Sequence, residues 1–205
     1  TGISNPMDIG CNATTDIHIG CFTSLTPRPQ NDTFQLPTTH VFQFLSQTGD
    51  PLTIGTGNVK SNFDFTGYVP KAGSSTQGWI DLNHERGNKT GGVTVFTTHF
   101  DIAKGLWVID SSGEVDFSMV AATQANCSGG VTYWETSITC EEDYPGTGDA
   151  NSDGYIDMGW MVEVDPKTRK PRDYGNGPEK LWAAGRMSHE NVVVHKDNKT
   201  LYYGE

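Results

Sequence analysis

Short runs of apolar and β-branched residues, broken by glycine, asparagine and aspartate, recur along the 205-residue chain. Runs at residues 41–45, 78–83, 92–97 and 106–109 predict strands. No long stretch free of Gly and Pro keeps a helical spacing, because β-branched and aromatic residues interrupt the clusters of helix formers. The pattern therefore predicts an all-β fold, with neighbouring strands in an antiparallel meander.

Acidic strand ends recur with a regular spacing. They lie near Glu85, near Glu142 and near Glu190, about fifty residues apart, which is the length of one four-stranded propeller blade. We therefore expect a partial β-propeller of four-stranded antiparallel blades, each directing carboxylates toward a shared axis. A β-sandwich, whose turn signals are similar, is the alternative. Residues 1–35, polar and rich in proline, are expected to be an N-terminal loop segment that precedes the propeller at 36–205.

The formal net charge of −11 changes the choice of partners. It argues against nucleic acid, whose phosphates need Lys and Arg, whereas clustered carboxylates suit calcium. No apolar run approaches the roughly twenty residues that span a bilayer.

Several features indicate a secreted, extracellular or periplasmic protein. The chain begins without Met, as expected if a signal segment has been removed. Glycosylation sequons occur at five positions: Asn12, Asn31, Asn88, Asn126 and Asn198. Cys11 and Cys21 bracket a short polar loop that a disulfide would close in an oxidising compartment.

The segment ending in Cys140, Glu141 and Glu142 combines a thiol with two carboxylates. If the strand ends there, all three side chains can turn toward one metal site, the thiolate suiting iron and the carboxylates calcium. Alternatively, Cys140 forms a hairpin disulfide with Cys127.

A second candidate site is a loop with oxygen-bearing side chains at alternate positions: Asp149, Asn151, Asp153 and Asp157. With Gly154 at the tight turn, this matches the first nine positions of a calcium loop. Trp160 stands where the bidentate Glu would follow, and residues 159–165 continue as a predicted strand, so we expect a calcium loop inserted in a blade.

His84, His189 and Arg186 lie beside the acidic strand ends. A His next to a Glu is more often a supporting residue than a ligand. Consecutive Ser188, His189 and Glu190 cannot converge as a hydrolase triad, whose members come from separated segments.

These segments together resemble the PhoX-type alkaline phosphatase family. The most specific blocks are Thr139-Cys140-Glu141-Glu142 and Gly185-Arg186-Met187-Ser188-His189-Glu190-Asn191. Earlier blocks include Gly67-Tyr68-Val69-Pro70 and Asn83-His84-Glu85, and the likeness extends to Glu205. One departure is Glu135, which replaces the glycine that much of the family has between Trp134 and Thr136.

The resemblance implies a propeller with a calcium and iron cluster on its axis that hydrolyses phosphate esters outside the cytoplasm. By motif position, it implies that Cys140 is the thiolate shared between irons and that Glu141 and Glu190 are carboxylate ligands. It also implies that Cys127 is not in a disulfide. Family chains are about twice as long, so a missing C-terminal half or a companion chain is expected to complete the site.

Two functions are therefore weighed. The first is a secreted metal-dependent phosphomonoesterase, of which this chain is the N-terminal portion. The second is a non-catalytic extracellular calcium-binding glycoprotein that uses the propeller for adhesion or assembly. The thiolate favours the first, because a structural calcium site has no use for one.

Overall fold

A computed structural model describes residues 25–37 and 40–205. The chain divides into two compact units, Thr1–Phe44 and Leu45–Glu205. In the first unit, the rings of Phe34 and Phe42 lie 4.9 Å apart. The strand predicted at 41–45 is not formed. Its apolar side chains are largely exposed, Val41 by 81%, so they have no sheet face to cover.

The second unit begins its regular structure with a four-stranded antiparallel sheet whose order follows the chain. Its strands are β1 (Phe63–Pro70), β2 (Gln77–His84), β3 (Gly92–Asp101) and β4 (Leu106–Glu114). Strands β2, β3 and β4 confirm the predicted meander, and short turns between them fix the register.

A second four-stranded antiparallel sheet has the same order along the chain. It comprises β5 (Asn126–Val131), β6 (Ser137–Glu141), β7 (Met161–Asp165) and β8 (Lys170–Pro171). A third sheet has two antiparallel strands, β9 (Asn191–Val194) and β10 (Leu201–Gly204). Short 3-10 helices at Ser118–Val120 and Trp182–Ala184 join these elements. The all-β prediction is confirmed.

The first strands of the three sheets are neighbours: β5 contacts β1 on one side and β9 on the other. One apolar core joins the first two sheets through residues such as Val69, Val95 and Val164. A second core joins β6 and β7 to β9 through Ile138, Met161 and Val192. This packing brings the starts of β1, β5 and β9 to one region of the unit. Within the described residues, no helix is long and apolar enough to cross a membrane.

Candidate metal centre

Strands β1 and β5 begin in the same unusual way. Each is preceded by a non-glycine residue with a left-handed backbone, Asn62 (φ 58°) and Ala125 (φ 43°). Each then shows a register shift against its partner, between Phe63 and Thr66 in β1 and between Asn126 and Gly129 in β5. Such bulges leave a residue unpaired and redirect its side chain. Asp64 lies within the shift in β1, and Cys127 lies within the shift in β5.

At this end of each sheet an acidic residue lies beside the hairpin, after the second strand in the first two sheets and before the first strand in the third. The amide N–H of Glu85, just after β2, donates to Asn62 O at 2.8 Å. In the next sheet, the N–H of Glu142, just after β6, donates to Ala125 O at 3.0 Å. In the third sheet, the N–H of Glu190, just before β9, donates to Gly204 O at 3.1 Å. Equivalent ends of the three sheets therefore each present an acidic residue.

Three of these side chains converge. Ligand atoms of Cys127, Glu142 and Glu190 lie within 4.8 Å of one another. The Cys127 thiol is 3.1 Å from Glu190 Oε2, to which it donates, and 3.5 Å from Asp64 Oδ2. Cys127 is buried, Glu142 is half-buried and Glu190 is exposed. The group is therefore anchored in the protein yet open to solvent.

The negative charges in this group repel one another. Burial raises the pKa of the Cys127 thiol, and its hydrogen bond to Glu190 and the charge of Asp64 raise it further. Burial also raises the pKa of Glu85, with added repulsion from Glu142, Asp64 and Glu190. Among the described residues, no Lys, Arg or His forms an ion pair with these carboxylates, and such a group favours a bound cation.

Cys140 occupies a different environment from the one expected. It is fully buried in the apolar cluster of Ile138, Met161 and Val192, and burial raises its pKa to about 12. Both Cys127 and Cys140 are free thiols, so the alternative hairpin disulfide is not formed. The structure places Cys127 in the carboxylate group, where the sequence had predicted Cys140, because the side chain of Cys140 on β6 points into the core.

Glu141 is likewise not among the converging residues. It is fully buried, and both of its carboxylate oxygens lie 3.0 Å from Lys180 Nζ. Burial raises the pKa of Glu141 and lowers that of Lys180, while their mutual contact opposes both shifts. The predicted role of Glu141 as a cluster ligand does not fit this ion pair, which satisfies its charge.

The residues beside the ligands are held by neighbouring backbone and side-chain groups. His84 Nε2 lies 2.8 Å from Thr94 Oγ1, and burial lowers its pKa to about 4. His189 Nε2 lies 2.9 Å from Gly185 O, and Arg186 donates to Met158 O and Tyr144 O. These contacts fix the orientation of the three side chains, and their supporting role stays a prediction.

The expected calcium loop is stabilised by its own hydrogen bonds. Asp149 accepts from the N–H groups of Asp153 and Gly154, and Asn151 donates to Asp153. Asp157 is paired with Lys89 Nζ at 2.7 Å. Among the described residues, the carboxylates of this loop form no group of three that could hold a metal ion. The loop carboxylates thus accept hydrogen bonds from within the protein, and calcium binding by this loop stays a prediction.

The sequons differ in accessibility. Asn31, Asn88 and Asn198 are exposed. Asn126 is completely buried and donates to Thr139 Oγ1 at 3.0 Å, so glycosylation predicted there is incompatible with this fold. Asn12 and the predicted Cys11–Cys21 disulfide lie outside the described residues.

The chemistry of the converging group fits a mixed metal centre. A thiol that can become a thiolate suits a transition metal such as iron, and the surrounding carboxylates suit calcium or a bridging position. The sequence pointed to Glu85, Glu142 and Glu190 but missed Asp64 and Cys127. The available signal was the pair of glycines after Cys127, which marks a strand that another backbone approaches closely.

Comparison with known proteins now identifies the family. The family model described as Alkaline phosphatase PhoX matches residues 94–205. The chain belongs to the PhoX alkaline phosphatase family. This match includes Cys127, Glu142 and Glu190, whereas Asp64 and Glu85 precede it.

A solved structure of Pseudomonas fluorescens PhoX, in complex with the transition-state analogue vanadate, has a similar fold. The TM-score is 0.62 at 19% sequence identity, and the alignment covers 88% of this chain and 48% of the PhoX chain. The chain thus spans about half the length of that PhoX structure. No curated protein matches the chain significantly.

The departure at Glu135 from the PhoX pattern is accommodated locally. Glu135 adopts a left-handed backbone (φ 63°), which glycine adopts most readily. Its carboxylate accepts from the N–H of Ala72 at 2.7 Å, which ties this turn to the first sheet.

Proposed function

We propose that the chain carries part of the active centre of a secreted, metal-dependent phosphomonoesterase, with its sheets as successive blades of a β-propeller. The observation that carries the proposal is the convergence of Cys127, Glu142 and Glu190, from two neighbouring sheets, in a member of the PhoX family. A phosphate ester reaches this group from solvent, on the side where Glu190 is exposed.

Cys127, Glu142 and Glu190 would hold the metals, with Glu85 and Asp64 at the edge of the centre. Bound calcium and iron would neutralise charge on the phosphate oxygens and activate an attacking oxygen. Before Cys127 can act as a ligand, its thiol must lose the proton that it donates to Glu190. Asp64 and Glu190, which flank the thiol, can accept that proton and pass it on to solvent.

The remaining ligands and the groups that bind the phosphate would come from further blades, on a continuation of this chain or on a companion chain. The coverage of about half of the PhoX structure supports this part of the proposal. Location outside the cytoplasm is supported by the exposed sequons at Asn31, Asn88 and Asn198.

A pair of cysteine variants tests the centre. Because Cys127 faces the carboxylates and Cys140 faces the apolar core, Cys127→Ser should remove iron and abolish p-nitrophenyl phosphate hydrolysis at alkaline pH. Cys140→Ser should retain both, at some cost in stability. The measurements are elemental analysis and phosphate release by the intact protein, with any companion segment present.

The opposite pattern, with Cys140 required and Cys127 dispensable, would contradict the ligand assignment. Wild-type protein that contains calcium without iron and releases no phosphate would instead support the non-catalytic calcium-binding glycoprotein.

A further inference from the structure

Glu141 makes backbone contacts with the segments that carry the converging side chains. Its carbonyl oxygen accepts from the N–H of His189, the residue immediately before Glu190, at 3.0 Å. Its own N–H donates to Trp160 O at 3.0 Å, and the next residue along the chain is Glu142. A shift of Glu141 would therefore be passed to the segments that carry Glu142 and Glu190.

The carboxylate of Glu141 reaches the third segment as well. Its Oε1 accepts from the N–H of Gln124 at 3.1 Å, in the loop that leads to Cys127. Its Oε2 accepts from the N–H groups of Gly159 and Trp160 at 3.0 and 2.9 Å. Three backbone donors from two loops are thus fixed by one side chain.

Lys180 holds this carboxylate in place from the other side. Its ammonium contacts both oxygens of Glu141 and also donates to Asp157 O at 2.6 Å. Neither side chain of this pair is exposed to solvent. A fully buried pair contributes little net stability relative to an apolar replacement, but fixes geometry strongly because each charge must be satisfied.

We propose that the Glu141–Lys180 pair is a positioning device that sets the spacing of Cys127, Glu142 and Glu190. The inference rests on the metal centre of the proposed function. Glu141 acts through the backbone segments beside the ligands, and it does not itself bind metal. Partners that orient metal ligands typically change metal affinity by about 10–100-fold when they are removed.

The test uses cobalt(II), whose charge-transfer absorption with a thiolate reports ligation by Cys127 directly. The double variant Glu141→Gln/Lys180→Met removes both charges at once, so no buried charge is left without a partner. We expect the full chain with this double substitution to fold, as measured by urea unfolding in the presence of a chelator. It should bind cobalt at least about tenfold more weakly than wild type.

A matched control exists in the same sheet. Glu163 on β7 is also buried, accepts from Trp134 and Thr136, and pairs with Arg172 at 3.2 Å. Trp134 and Thr136 belong to the turn between β5 and β6, at the end of the hairpin away from Cys127, and Arg172 follows β8. Glu163→Gln/Arg172→Met should lower stability yet leave cobalt affinity unchanged within about twofold.

The outcomes separate the two levels of inference. The metal centre itself would be overturned if wild-type protein showed no cobalt–thiolate absorption band, or if Cys127→Ser kept the same band. A normal centre with equal cobalt affinity in the Glu141/Lys180 variant would overturn only the positioning role. If the double variant does not fold, Glu141→Asp replaces it, because this substitution keeps the charge but shortens the side chain. Glu141→Asp should weaken cobalt binding several-fold. Unchanged cobalt affinity in Glu141→Asp would also overturn the positioning role.

Discussion

At the residue scale, several ionisable side chains are buried, but they are satisfied to different degrees. Glu141 has an ammonium and three N–H donors. Asp81 on β2 is 1% exposed, and its Oδ2 accepts from Ser137 Oγ, while Oδ1 has no hydrogen-bond partner among the described residues. The two carboxylates should therefore respond differently to pH.

Asp81 should make the stability of the protein fall as pH rises. Burial raises its pKa from 3.8 to about 7, although the Ser137 hydrogen bond lowers it. Because the folded state holds the proton that the unfolded state releases, the stabilising protonation is lost between about pH 4 and pH 7. Asp81→Asn should remove this dependence and stabilise the protein above pH 7 by on the order of a few kcal/mol.

Urea unfolding of wild type and Asp81→Asn at pH 5, 7 and 9, in chelator, measures this effect. At pH 5 the two proteins should differ least. A variant that is less stable than wild type at pH 9 would show that the ionised carboxylate is favoured in the folded state.

At the element scale, the sequence predicted β2, β3 and β4 from their alternating or apolar runs, and its predicted strand at 159–165 contains β7. The first strands β1 and β5 were not predicted, although they carry Asp64 and Cys127. Strand β5 reads Asn-Cys-Ser-Gly-Gly-Val, with little of the β-branched and aromatic character that marks a strand. Its glycines serve close packing between sheets, which a local pattern cannot reveal.

The ligand set failed to emerge from the sequence for the same reason. Cys140 and Cys127 are equally plausible thiols until the register of β5 against β6 is known. The bulge at the start of β5 turns Cys127 toward Glu190, and only the contact between β5 and β9 brings Glu190 there. The acidic strand ends could be recognised in the sequence, and their role as ligands stays a prediction, whereas the choice between the two thiols required tertiary structure.

Gly130 tests the close packing of β5 on β9. A Cβ atom at this position would lie 2.3 Å from Val192 O, a backbone atom that cannot rotate away. Gly130→Ala should therefore force β5 and β9 apart and lower the free energy of unfolding by about 1–3 kcal/mol. It should also weaken cobalt binding, because Cys127 and Glu190 belong to these two strands.

Gly204→Ala on β10 is the matched control, since a Cβ atom there meets no heavy atom within 4 Å. Chemical denaturation of the two variants provides the comparison. Equal stability of Gly130→Ala and Gly204→Ala would mean that β9 adjusts freely and does not fix Glu190.

At the scale of the whole molecule, the three sheets are unequal. The first two have four strands each, whereas the third has only β9 and β10. Among the described strands, β10 pairs with β9 alone, so its other edge lacks a strand partner. Tyr202 and Tyr203 on β10 are exposed by 59% and 40%, and Val193 on the neighbouring β9 is exposed by 63%. An edge with exposed aromatic residues is a template for pairing with another strand.

We expect the 205-residue chain, studied alone, to self-associate reversibly through β10. Two copies of a chain with a net charge of −11 repel each other, which opposes this association. Added salt screens the repulsion and should therefore strengthen the association. Tyr202→Lys should weaken it, because a charged side chain on an edge strand disfavours pairing. Sedimentation velocity over a range of protein and salt concentrations measures the effect.

Ile102→Lys separates edge pairing from general stickiness. Ile102 is 78% exposed at the turn between β3 and β4, away from any unpaired edge of the third sheet. Only Tyr202→Lys should shift the protein toward monomer if strand addition drives association. An equal shift with Ile102→Lys would point to nonspecific apolar contact, and a wild-type chain that stays monomeric at high salt would show that β10 needs no further strand.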